Sequence, residues 1–334
     1  MRQSSLTQLF STAMVIVTGG AGFIGSCLVR TLNNKGIDDI LIVDALGTGL
    51  KWRNLVGKRY IDVVHKTDFL ENLVDGEYGA EIEAIFHLGA CSATTERDAD
   101  YLLENNYRYS CVLADYAEAR NIRLIYASSA ATYGAGEQGY DDSMCAGLKP
   151  LNMYGYSKQM FDEWVIRNGL ESKFVGVKFF NVFGPNEYHK GDMASVILKS
   201  FRSVVETGTI RLFKSYKPDY ANGAQKRDFV YVKDVCETLY EMFRYGEIRG
   251  LYNLGTGAAR SWNDLANAVF TAMGRTPQIE YIEMPEQLRK QYQYFTEADT
   301  RKLQTTRIYK PFSTLEDSIV DYVQEFLMKD EAHW

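Results

Sequence analysis

The sequence predicts an α/β fold: a parallel sheet with helices on both faces, plus a smaller α/β lobe. Three observations lead there. Short apolar runs alternate with longer helical stretches through the first half of the chain, which is how successive βαβ units read. A glycine-rich turn, Thr18–Gly25, stands between the first strand-like run and the first helical one. The length, 334 residues, exceeds what one core usually serves, so two lobes are expected.

Met14–Thr18 (MVIVT) is a continuous apolar run closed by glycines, the pattern of a buried parallel strand. Phe23–Lys35 reads as a helix that stops at Gly36. Asp39–Asp44 is the second strand and Tyr60–Val64 a weaker third. Glu83–His87 and Arg123–Ala127 follow, separated by a helical pattern from Ala99 to Arg120. Tyr154–Leu170 is another helix, ahead of the strand Phe174–Phe179. After Asn181 the pattern loosens into loops around Gly184–Asp192 and Ser215–Gln225, with strand-like runs at Asp228–Val232 and Gly250–Leu254. The expected division is a dinucleotide-binding Rossmann domain at 14–181, with 230–256 returning to it. A substrate lobe takes 182–229 and 257–334.

Composition excludes several classes. An apolar content of 46% supports a packed core and rules out wholesale disorder. No apolar stretch approaches the roughly 20 residues of a membrane helix. A net charge of −6 is a poor footprint for a nucleic-acid binder. The cysteines and histidines are scattered without CxxC spacing, so neither a disulfide framework nor a metal site is expected, and reduced thiols in the cytoplasm are the simplest reading. His87, ending a strand, reads as a buried histidine with satisfied partners. Residues 1–13 form a polar, acid-free extension without the apolar core of a secretory signal, and Met14 offers an alternative start.

The turn Thr18–Gly25 satisfies both GxGxxG (Gly20, Gly22, Gly25) and GxxGxxG (Gly19, Gly22, Gly25). Such glycines permit a tight turn and close approach of a pyrophosphate to a helix N-terminus. Asp44 lies 19 residues beyond Gly25, where an acid bonds a ribose 2′-hydroxyl and favours NAD. Lys51, Arg53 and Lys66 follow shortly. Each alone reads as a solvated surface charge; together they leave NADP open, since a cation neutralises a 2′-phosphate.

Tyr154 and Lys158 form a YxxxK pair, one turn apart on the same helix face. An ammonium beside a phenol favours the phenolate, which makes the tyrosine a base near neutral pH. Ser129 ends a strand, at the edge where a parallel sheet presents its ligand, and can bond the reacting oxygen.

TGGAGFIG, the Ser129 strand end and YGYSK, in this order, resemble the extended short-chain dehydrogenase/reductases. RDFVYV (Arg227–Val232) and YNLGTG (Tyr252–Gly257) look like the substrate-lobe signatures of its nucleotide-sugar enzymes. The resemblance implies that Tyr154, Lys158 and Ser129 are catalytic, with Lys158 also bonding the nicotinamide ribose. Ala130-Ala131-Thr132-Tyr133-Gly134 carries no acid after the serine, which disfavours dehydration and leaves epimerisation or reduction.

Longer segments narrow the resemblance. GACSATTE (Gly89–Glu96), SSAATYG (Ser128–Gly134), PLNMYGYSK (Pro150–Lys158), FFNVFGPNEYHKGDMAS (Phe179–Ser195) and YQYFTEAD (Tyr292–Asp299) resemble the family of epimerases that invert C6 of an ADP-activated heptose for the lipopolysaccharide inner core. The likeness spans residues 14–330. It implies an ADP-heptose substrate, tightly bound NADP (with NAD as the alternative), and a homo-oligomer, the family forming pentamers. Lys190, otherwise only a loop lysine, becomes the second acid/base group opposite Tyr154. Implied cofactor contacts are Gly19, Gly22, Phe23, Ile24, Gly25, Asp44, Ala45, Lys51, Lys66, the run Leu88, Gly89, Ala90, Cys91 and Ser92, and Asn105, Lys158, Val182 and Lys190. Implied substrate contacts are Asn181, Asp192, Lys199, Phe213, Ser215, Arg227 and Tyr292. Four positions depart from the family: Ala45 for Asn, Leu88 for Glu, Asp192 for Ser and Lys199 for His. The stretch before RDFV, Lys214–Lys226, is also longer. Another nucleotide-sugar 4-epimerase, or a reductase of the same family, is the competing reading.

Overall fold

The computed structural model describes residues 13–78, 82–289 and 292–334; of the expected extension, residues 1–12 lie outside the described residues. In chain order the strands are β1 (Met14–Thr18), β2 (Ile40–Asp44), β3 (Asp62–His65), β4 (Ile82–His87), β5 (Arg123–Ser129), β6 (Val175–Phe179), β7 (Asn181–Phe183), β8 (Ile210–Phe213), β9 (Lys226–Arg227), β10 (Phe229–Tyr231), β11 (Gly250–Leu254), β12 (Arg260–Ser261) and β13 (Ile279–Ile282). Seven form one sheet in the order β11-β6-β5-β4-β1-β2-β3, and every neighbouring pair in it runs parallel. This is a Rossmann-like sheet. The strand order reverses between β1 and β4, which opens a crevice at their carboxyl ends.

Both faces of the sheet are covered, so its strands are apolar throughout rather than alternating. On one face Val15, Val17 and Ile42 pack under helices α1 (Phe23–Asn34) and α7 (Val232–Arg244). On the other, Met14, Ile16 and Leu41 meet α2 (Lys66–Val74), α4 (Tyr109–Ala119) and α5 (Met153–Arg167). The remaining strands form three two-stranded ribbons, β7–β10, β9–β12 and β8–β13. α6 (Val196–Thr207) and α8 (Trp262–Ala272) pack beside them.

Several boundaries differ from expectation for local reasons. The helix expected over Ala99–Arg120 is three pieces: α3 (Ala99–Leu102), a wide π-turn at Leu103–Arg108, and α4. Asn105 bonds Lys66 and Asn106 bonds the Cys91 backbone and Ser157; the wide turn lets two consecutive side chains reach inward. α5 starts one residue early because Asn152 caps it, accepting from the Gly155 amide at 2.8 Å. It ends early where Gly169 turns left-handed, φ 69°. The third strand runs to His65, in register with Asp44. The run Asp228–Val232 narrows to β10, which joins β7 outside the main sheet. Asp228 is instead a fully buried clamp, accepting from the amides of Thr256, Gly257 and Ala298.

His87 is buried as expected. Ser110 donates to the Asn106 carbonyl and therefore accepts from His87 Nε2 at 2.8 Å; Nδ1 then accepts from Thr18 Oγ1 at 2.7 Å. Burial, reinforced by the Lys158 charge, pushes the imidazole down to about 3. Its folded pKa thus lies below the unfolded value, so the unfolded chain takes up the proton first and stability falls as pH drops from about 6.5 toward 3. A His87→Gln variant is expected to melt lower at pH 7 but to lose less melting temperature between pH 6.5 and 4 than the parent, as thermal melts across that range will show.

Candidate cofactor and active site

A cleft of about 760 Å³ runs along the carboxyl ends of the central strands, from Asp44 to Lys190. Its narrow end is the glycine loop. Gly19, Gly22 and Gly25 face the cleft, whereas a Cβ on Gly20 would meet the Ile42 side chain, so the GxxGxxG register is the one in use. A Cβ on Gly25 would lie 2.1 Å from the Gly19 carbonyl oxygen, and Gly19 itself has φ +69°. The start of α1 therefore presses directly onto the loop. That helix has no side-chain cap and no acid in its first turn, leaving amide donors and the positive dipole end for a phosphate.

Asp44 ends β2 and accepts from the amides of Ala21 (2.9 Å) and Ala45 (2.7 Å) and from Lys51 Nζ (2.6 Å). Lys66 donates to Asn105 Oδ1. Ala45, Lys51, Lys66 and Asn105 all line the cleft, as do Phe23, Ile24, Leu88, Gly89, Ala90, Cys91, Ser92 and Val182. Arg53 is exposed, beside the Trp52 ring, and is not among the lining residues. The donor set fits a dinucleotide: bare amides at the glycine turn, a carboxylate at the second strand, and cations beyond it. Among the described residues no group of three or more His, Cys, Asp or Glu side chains is placed to hold a metal.

The wide end carries the proton-transfer groups. Lys158 Nζ donates to the Ala127 carbonyl at 2.8 Å, and burial pushes its ammonium down to about 8, with Asp162 opposing. Tyr154 hydrogen-bonds Ser129. Its phenol sits above the ordinary value because burial outweighs the Ser129 bond, with Cys91 and Asp162 adding to the rise. The expected fall from a neighbouring ammonium does not appear: Lys158 is not among the groups that shift the phenol, and desolvation dominates. Lys190 lies on the 3-10 turn Tyr188–Met193, its Nζ 5.4 Å from the Phe23 ring centre. Burial lowers it while Glu187 pulls it back up.

Substrate candidates divide. Asn181 lines the cleft. Arg227 is buried against the rings of Trp262 and Tyr292, at 5.8 and 5.3 Å. Tyr292 accepts from Trp262 Nε1 at 2.9 Å and meets Phe213 edge-on. Trp262 belongs to both this cluster and the cleft lining, so the cluster extends the cleft. Ser215 donates to the Lys217 carbonyl within its own loop. Asp192 and Lys199 are exposed, joined by a bond from Lys199 Nζ to the Asp192 carbonyl, and are not among the lining residues. The structure also brings in Tyr101, His189, Met193, Phe229 and Trp262. His189, Met193 and Phe229 lie inside segments already singled out in the sequence, and Trp262 follows Ser261 in a Ser-x-x-Asp capping box, which marks a helix start but not where it points.

A family model described as the NAD dependent epimerase/dehydratase family matches residues 15–255. The chain belongs to this family. An ADP-L-glycero-D-manno-heptose-6-epimerase of Nitratidesulfovibrio vulgaris (Hildenborough) is 53% identical over 322 residues, covering 96% of this chain and 100% of that protein. The crystal structure of the Helicobacter pylori ADP-L-glycero-D-manno-heptose-6-epimerase superposes with a TM-score of 0.78 at 28% identity, covering 94% of this chain and 96% of that one. MoeE5, solved in complex with UDP-glucose and NAD, gives 0.72 at 26% identity, covering 96% and 100%. The chain is accordingly an enzyme of a family that depends on a nicotinamide dinucleotide.

A Gly25→Ala substitution forces its methyl against the Gly19 carbonyl. It is expected to cost on the order of 1–3 kcal/mol of stability and to abolish cofactor retention on gel filtration, whereas Gly246→Ala, in open space and without a left-handed backbone, leaves retention intact.

Proposed function

We propose that this enzyme inverts C6 of ADP-D-glycero-β-D-manno-heptose, giving the L-glycero epimer, with a tightly held NADP. One observation carries the reading: a phenol–lysine pair on α5 and a half-buried lysine on a separate turn line the same cleft beside a dinucleotide cradle. The 53% identity to a protein named for this reaction supports the choice of substrate.

The hydrogen at C6 has no adjacent carbonyl, so it is not acidic and proton abstraction alone cannot invert the centre. A bound nicotinamide dinucleotide supplies the hydride acceptor and, the reaction being redox-neutral, the donor that returns it. Tyr154 takes the C6 hydroxyl proton as the sugar is oxidised to a 6-ketone, with Ser129 hydrogen-bonding the same oxygen. Lys190 gives a proton to that oxygen when the opposite face is reduced. Its lowered pKa suits both directions of transfer. Lys158 keeps positive charge beside Tyr154 and offers its ammonium to the nicotinamide ribose. Arg227 pairs with the sugar-nucleotide pyrophosphate, its planar fork matching phosphate oxygens. In this reading residues 14–181 hold the cofactor, the later segments hold the sugar nucleotide, and the enzyme works in the cytoplasm as a homo-oligomer.

The preference for NADP follows from the cations at the Asp44 end. Lys51 compensates the carboxylate that would otherwise repel a 2′-phosphate, and Lys66 lines the same cleft. Lys51→Ala/Lys66→Ala is expected to weaken NADP binding about tenfold or more with little change for NAD; equal losses for both cofactors would reverse the assignment.

Incubation with ADP-D-glycero-D-manno-heptose and chromatographic separation of the 6-epimers tests the activity itself. Tyr154→Phe and Lys190→Met are each expected to lower the rate by roughly 10²–10⁴-fold. Turnover of UDP-glucose with no conversion of the heptose would overturn the substrate.

A further inference from the structure

The segment Glu331–Trp334 makes a set of part-buried contacts that the chemistry above does not use. Asp330 and Glu331 both take left-handed backbone angles, φ 58° and 53°, and turn the chain back onto the protein. Arg202 pairs with Glu331 at 2.6 Å. The Ala332 carbonyl accepts from the Tyr188 hydroxyl at 2.9 Å, and the His333 ring meets the Tyr188 ring edge-on at 5.2 Å. Tyr188 is two residues from Lys190.

Two buried asparagines receive this segment. Asn54 donates to the carbonyls of Ala21 (3.0 Å) in the glycine loop and Asn186 (3.1 Å), and faces His189 Nδ1 at 3.3 Å. Those acceptors fix its amide orientation, so its oxygen points to His333 Nδ1, 2.9 Å away, which must carry the proton. Burial holds both His189 and His333 below the ordinary imidazole value, which favours their neutral rings. Asn186 has φ 74°, a costly conformation for a non-glycine residue. It exchanges two hydrogen bonds with the Trp334 backbone, at 2.9 and 3.1 Å, and donates to Ser26 of α1 at 3.0 Å. Lys58 also donates to the Trp334 carbonyl.

We infer that His333 and Trp334 are positioning residues for Lys190: through Asn54 and Asn186 they clamp the Tyr188–Met193 turn onto the glycine loop and the start of α1. A lysine on a short turn otherwise has a wide reach, and an error of about 1 Å at a proton-transfer group costs as much as 10²-fold in rate. The clamp acts on Lys190 and does not touch α5, so its effect is one-sided. This inference rests on Lys190 being the second proton-transfer group.

The test uses the cofactor-loaded Asn186→Gly/His333→Ala variant, which removes the side chain that grips the Trp334 backbone while keeping the left-handed angle at 186, with Tyr188→Phe as a milder change that removes only the bond to Ala332. Amide exchange is expected to rise at least tenfold across Asn186–Ser195 and to stay unchanged in α5. The heptose kcat is expected to fall tenfold or more with KM within about twofold. Reduced nicotinamide absorbance should build up from one epimer only, because the Tyr154 half-reaction survives. Unchanged exchange in the turn, an unchanged kcat, or equal loosening of α5 overturns the clamp. If the double variant does not fold, the same exchange and kcat readings on Tyr188→Phe decide, with smaller shifts expected. If the parent enzyme does not epimerise the heptose, the reading of Lys190 fails on its own, while the exchange experiment still decides whether the clamp exists.

Discussion

Backbone contact at the glycine loop is the constraint on which the rest of the site depends. Gly19, Gly25 and Gly89 meet with no side chain between them: a Cβ on Gly19 would lie 2.7 Å from the Gly89 Cα, and one on Gly25 closer still to the Gly19 carbonyl. This nesting brings the ends of β1 and β4 and the start of α1 to one point. The amide donors of α1 are thereby aimed at the strand-order reversal, where the cleft opens. Asp44 is fixed by an amide of the same loop, and Asn54 hangs from its Ala21 carbonyl. Both ends of the cleft thus take their positions from one packed turn.

Desolvation then sets the chemistry inside that frame. It acts on two lysines and a phenol in the same cleft, lowering Lys158 and Lys190 and raising Tyr154. Each lysine has a buried carboxylate that limits the shift, Asp162 for Lys158 and Glu187 for Lys190. Those carboxylates are themselves held. Asp162 pairs with Lys178 at 2.7 Å and accepts from Ser128; Glu187 accepts from Ser195 and Tyr322. A charge network of this kind contributes little net stability when compared with an apolar core, but breaking one partner is expensive. Here it limits how far desolvation lowers two cations at two separate points of one cleft.

Sequence reasoning succeeded where the signal is local. β1, the glycine turn, α1 and the Tyr154/Lys158 pair are each written in a short window by apolar runs, glycine spacing and helical period. It failed where tertiary partners decide. The π-turn exists because Asn105 and Asn106 bond residues distant in the chain, and no window shows that. Lys190 and Arg227 were visible only through family resemblance, since the rings they meet, Phe23 for the one and Tyr292 and Trp262 for the other, come from elements far along the sequence. Asp192 and Lys199 show the limit of that transfer. They occupy family substrate positions, yet the fold leaves both exposed and bonded to one another. Asp228 shows the converse: inside a recognised motif, its part in holding the turn at Thr256–Gly257 appears only once the two segments are seen together.

The position of β11 bears on how the chain is made. This strand is the outer neighbour of β6, yet it emerges about seventy residues after it, by which time β7–β10 and two helices have formed elsewhere. During synthesis the N-terminal half therefore waits with β6 as an open edge, its Val175 and Val177 destined for the core. Open apolar edges invite pairing with other chains. The last strand is thus a late seal on the sheet, and the interval before it arrives is when a nascent chain of this design is most exposed to mispairing.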